Sequence, residues 1–109
     1  IIELAPIPAG CRVVDMVLDS ADLDTGAALL LVVGIMSGEW GDEASDRTVG
    51  AEFFSGANVG QAGGVARPTL ASAYKQASSD KARSIGVKIA TAAAGAQAGE
   101  IGLTVHYAA

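Results

Sequence analysis

The sequence predicts an all-β fold: an antiparallel β-sandwich, jelly-roll-like, of about six to eight strands with one long irregular loop. Three observations predict it. Apolar residues recur at every second position in several short runs. Turn-forming clusters rich in Gly, Asp, Ser and Ala separate those runs at short spacing. No extended stripe with the 3.6-residue period of a packed helix is present. The 109 residues suit one domain, 1–109. The start at Ile1 rather than Met predicts that an upstream segment has been removed or left out.

The elements follow in order. "IIELAPI" reads as a short apolar strand stopped by Pro6 and Pro8, and "IPAG" as a turn. In "CRVVDMVLD", Val14, Met16 and Leu18 form one apolar face, and Cys11, Val13 and Val17 surround Asp15 on the other. Both faces of that strand therefore want cover. "SADLDTG" is a polar loop whose Asp and Ser side chains favour bonds to nearby backbone. "AALLLVVGI" shows no alternation, as expected of a central strand buried on both faces.

Residues 37–64 are the irregular loop. A short helix over Ser45 to Phe54 is expected inside it, capped by Ser45 or Asp46 and weakened by Gly50. "VARPTLASAYK" reads as a strand interrupted, or set at an edge, by Pro68. In "RSIGVKIAT", Ile85, Val87 and Ile89 point inward and Ser84, Gly86 and Lys88 outward. In "EIGLTVHYA", Ile101, Leu103, Val105 and Tyr107 point inward and Glu100, Thr104 and His106 outward. The Ala/Gly turn between these two runs predicts that they pair as a hairpin.

Composition narrows the function. The net charge of −5 disfavours a nucleic-acid partner, because an acidic chain is repelled by phosphates. No apolar run reaches the roughly 18 residues of a membrane helix, so no membrane partner is expected. The single cysteine, Cys11, has no mate for an internal disulfide and suits packing. With half the residues apolar and only 17% charged, some apolar surface should be covered by a partner.

No catalytic, metal or cofactor residues emerge. The glycines of "SGANVGQAGG" lack the Gly-Lys-Ser/Thr ending and following helix of a phosphate loop. Asp19, Asp22 and Asp24 lack the distal glutamate of a calcium loop and read as an Asx-rich turn, with a weak calcium contact left open. His106 is the sole histidine, without a predicted partner, and Asp42 with Glu43 reads as a solvated pair. Trp40, Phe53 and Phe54 could form a sugar platform, but core or interface packing is the better reading. The candidate partner-contact residues are Trp40, Phe53 and Phe54 in the long loop, with Val13 and Val17 on the second face of their strand.

Residues 1–35, "IIELAPIPAGCRVVDMVLDSADLDTGAALLLVVGI", resemble small tailed-phage virion proteins, in which an apolar strand enters a Pro-Ala-Gly turn. A strand and an acidic loop follow, then an apolar strand ending in Gly. The closing segment "KIATAAAGAQAGEIGLTVHYAA" is similar to the alternating last strand of that family. The resemblance implies a capsid decoration (cement) protein, or the base of a head fibre, and no catalytic residues. It also implies the major capsid protein and further copies of itself as partners, a trimer favoured, and a place on the outer capsid surface. A carbohydrate-binding module, a tail adaptor and a small hydrolase are the other readings open from sequence.

Overall fold

The computed structural model describes residues 1–109. Its strands are β1 (Ile2–Ile7), β2 (Arg12–Ser20), β3 (Leu30–Ile35), β4 (Phe54–Ala57), β5 (Gly64–Ala66), β6 (Arg83–Thr91) and β7 (Ile101–Ala108). A 3-10 turn spans Val59–Gln61, and one helical turn, α1, spans Ala71–Tyr74. The strands form two antiparallel sheets, β1-β6-β3-β4 and β5-β2-β7. The expected all-β sandwich is therefore the fold. Its inner faces meet in one cluster around Ile7, Met16, Leu18, Val33, Phe53 and Ile85.

The pairing of the last two strands differs from expectation. β6 lies between β1 and β3 in the first sheet, whereas β7 pairs along β2 in the second. Alternation fixes which face of a strand is buried, but not which strand lies beside it. The Ala/Gly segment after β6 crosses from one sheet to the other instead of turning back. Ile85 and Val87 still meet Ile101, Leu103 and Val105, but across the core. Ile89 and Tyr107, expected inside, are 64% and 38% exposed, because both lie where the sheets end.

A bulge reshapes β2. Val13 sits opposite Tyr107 and Asp15 opposite His106, so Val14 is extra in the ladder. The odd-even division of the strand is broken there. Val13 turns into the core with Met16 and Leu18, while Val17 remains half-buried on the other face.

The expected helix over 45–54 does not form. Residues 36–53 instead run back beside the end of β3, through bonds from Ser37 N to the Thr48 carbonyl, Gly50 N to Ile35 and Phe53 N to Val33. Backbone partners offered by a sheet outweigh a weak local helical preference interrupted by Gly50. The strand expected after Val65 ends at Ala66, and Pro68, which cannot donate to a ladder, leads into α1.

This folded-back segment covers the outer face of the first sheet. Met36 and Val49 pack on β6 at Gly86, where an added Cβ would meet the Met36 sulfur at 2.6 Å. At Gly34 a Cβ would fall 1.9 Å from the Gly50 carbonyl oxygen. The glycines inside these apolar strands thus mark where a third layer touches the sheet.

These positions generate a paired prediction. Phe53 is fully buried, so Phe53→Ala should destabilise by about 3–5 kcal/mol. Ile89→Ala should change stability by no more than about 0.5 kcal/mol, because its side chain already meets solvent. Urea unfolding of both variants checks it. Equal losses would contradict the placement of Ile89.

Candidate interaction surfaces

The long loop is held by Arg47, whose side chain is only 7% exposed. Its Nη1 donates to Glu3 at 2.7 Å and to the Asp42 carbonyl at 2.9 Å. Its Nε donates to the Ser37 carbonyl at 2.7 Å and its Nη2 to Ser84 Oγ at 2.8 Å. A buried guanidinium is tolerated only when its donors are met. Hydrogen bonding from Ser84, then from Arg47 and the Gly41 amide, holds Glu3 below the usual carboxylate range despite desolvation.

This clamp positions Trp40. The Trp40 amide donates to the Ala82 carbonyl at 3.3 Å, and its residue is 45% exposed. Beside it lies an open groove of about 660 Å³, walled by Glu39, Asp42, Ser79, Lys81 and Arg83.

A second charged clamp sits toward the opposite end of the sandwich. Asp24 is 1% exposed. Its carboxylate accepts from the amides of Gly26 at 2.8 Å and of Ala28, Leu29 and Gly95 at 3.0 Å each. The Gly95 amide first, with the other amides, holds Asp24 far below the ordinary carboxylate range against the cost of desolvation. The expected Asx turn is therefore also a long-range tie, fixing the 92–100 crossover to the loop after β2.

Close to that tie the sandwich opens in an apolar mouth of about 370 Å³. Ile2, Leu29, Leu31, Val87, Ile89 and Ile101 are among its walls. Ile1 and Ile2 at its rim are 67% and 59% exposed.

The five expected contact residues are separated by the fold. Phe53, Phe54 and Val13 lie in the core, at 0%, 8% and 1% exposure. Val17 keeps part of its surface on the outer face of β2, and Trp40 alone of the loop aromatics points outward. Phe53 and Phe54 go inside because the fold-back leads directly into β4. Sequence reasoning missed Ile1, Ile2 and Ile89 as surface residues, and Arg47 and Asp24 as organisers. Cys11 is half-exposed, and His106, on the outer face of β7, is exposed opposite Asp15. Asp15 is held below its usual range by Arg67, the Met16 amide and His106, although desolvation opposes them most strongly.

The fold recurs in a solved structure, the capsid of Ralstonia phage GP4. One of its chains superposes with a TM-score of 0.83 and 43% identity, over 96% of this chain and 70% of that one. The chain belongs to the phage virion structural proteins. No family model matches it. No curated protein matches it. The virion protein has a structural role, and its place is in the particle among other capsid components.

The Asp24 tie predicts acid sensitivity for this virion protein. Its folded-state carboxyl titrates lower than in the unfolded chain, so the tie is at full strength above about pH 4. That stability is lost as pH falls through the depressed folded value. The thermal unfolding temperature should therefore fall progressively below about pH 4. Asp24→Asn should unfold at lower temperature at pH 7 and show a shallower acid-side decline. An unchanged acid profile in that variant would contradict the assignment.

Proposed function

We propose that the protein is a capsid decoration protein that binds the outer surface of the phage head and stabilises it. The observation that carries this is the apolar mouth with its exposed isoleucine rim, on a domain that is otherwise acidic. Exposed apolar patches with polar surroundings favour protein contact. The mouth suits an apolar segment of the major capsid protein, inserted between the ends of the two sheets.

The charge supports the outer address. A domain of net charge −5 is repelled by packaged DNA, so the exterior of the shell is electrostatically preferred. Self-association as a trimer is the second part of the proposal. Val17 on β2 and the 74% exposed Val65 on β5 lie on adjacent strands of the outer face of the second sheet. They offer two apolar contacts for a neighbouring copy on a face that also carries Asp19, opposite Val65, and Thr104, opposite Val17. Several weak head contacts per trimer would reinforce one another through avidity.

Two measurements test the proposal. Ile2→Asp and Ile89→Asp should fold normally yet fail to populate heads stripped of the protein, counted as copies bound per head. Full occupancy by both variants would move the contact away from the mouth. Sedimentation at micromolar concentration should show a species of three 10.8 kDa chains, dissociated by Val17→Asp with Val65→Asp. A wild-type monomer at that concentration would overturn the free trimer.

A further inference from the structure

From the groove beside Trp40 we propose a second binding site, for a neutral oligosaccharide, distinct from the surface that holds the protein to the head. The first support is the aromatic face. Trp40 is 45% exposed although the fold buries Phe53 and Phe54 from the same loop. An indole left in water at the wall of a groove offers a flat apolar platform with one polar edge. The C–H face of a pyranose fits such a platform.

The second support is the chemistry of the other walls. Glu39 and Asp42 supply acceptors, Lys81 and Arg83 supply donors, and Ser79 supplies a hydroxyl. The two carboxylates balance the two cations. A phosphate or sulfate would meet Glu39 and Asp42 as like charges, and a cationic ligand would meet Lys81 and Arg83. A neutral ligand rich in hydroxyls can use both sets, since each hydroxyl both donates and accepts. An apolar peptide side chain finds little here, because only two of the nine lining residues are hydrophobic.

The third support is preorganisation. Arg47 ties down the carbonyls of Ser37 and Asp42 on either side of Trp40. Arg83 is held by the carbonyls of Cys11 at 3.3 Å and Ala77 at 3.0 Å. Lys81 N bonds to Ser79 Oγ at 3.3 Å. A platform fixed in advance loses less conformational entropy when a ligand arrives. The groove volume of about 660 Å³ falls within the range of small-ligand sites and is open along one side, as a chain end or branch of a glycan requires.

Trp40 is the only tryptophan, so its fluorescence reports on this groove alone. Purified protein is titrated with maltotriose, cellotriose, chitotriose and mannotriose. At least one should give a saturable change in emission. Glu39→Gln and Lys81→Gln should each weaken that sugar about tenfold, the scale of a lost hydrogen bond to a charged group. Trp40→Ala should abolish binding measured by calorimetry, Trp40→Phe should restore part of it, and both should occupy stripped heads as the wild type does. No saturable response to any of the four sugars would overturn the site. So would a response unchanged in Glu39→Gln and Lys81→Gln. Loss of head occupancy in Trp40→Ala would reassign the groove to protein contact. Because the titration uses free protein, its failure would leave the head-binding proposal standing.

Discussion

The buried guanidinium of Arg47 is the constraint on which the rest of the loop architecture depends. A charge taken out of water must find partners, and Arg47 finds them on three separate parts of the chain: β1 through Glu3, β6 through Ser84, and its own loop through Ser37 and Asp42. The contacts with Glu3 and Ser84 form only when the 36–53 segment lies on the first sheet. Once it does, Met36 and Val49 reach Gly86, and the Gly50 carbonyl reaches Gly34. Small residues in two central strands, a buried cation in a polar loop, and an outward tryptophan are therefore one structural solution.

Asp24 solves the converse problem. The loops between β2 and β3 and between β6 and β7 present amides with no strand to pair with, and buried amides must be paired. A carboxylate with two oxygens collects four of them. The sandwich thus carries a cation that gathers acceptors and an anion that gathers donors. Both convert irregular backbone into fixed structure without lengthening a strand. This explains how a chain with short strands and a small core keeps long loops ordered enough to carry binding surfaces.

The strands themselves were legible because period two is a local signal. The inward faces of β6 and β7 were read correctly at Ile85, Val87, Ile101, Leu103 and Val105. Their partners were not, since a crossover and a hairpin place the same residues inward. The bulge at Val13–Asp15 was invisible for a similar reason: one extra residue changes the face without changing the composition. For Phe53 and Phe54 the sequence leaves core and interface packing both open, and the core takes them because β4 begins at Phe54. Asp24 reads from sequence as part of a local Asx turn and Arg47 carries no local signal, so only their distant partners reveal the wider role. One signal was available. Gly34 and Gly86 interrupt otherwise apolar strands, and a glycine there implies close approach by another backbone.

The geometry of β6 links the two proposed surfaces. Arg83 at its start borders the Trp40 groove, and Ile89 near its end borders the apolar mouth. Six residues of extended strand separate them by about 20 Å. They face different surroundings for a physical reason: the fold-back and Arg47 finish the sandwich with polar groups at one end, whereas apolar walls stay uncovered at the other. A domain held by its mouth therefore turns the Trp40 end away from whatever holds it. Under the proposed outer address the acidic charge acts in the same sense, since packaged DNA repels an acidic domain. An apolar end that prefers to be covered and a polar aromatic end that tolerates water give the domain a fixed polarity. That polarity would let the proposed attachment and the proposed glycan site operate together, with neither surface blocking the other.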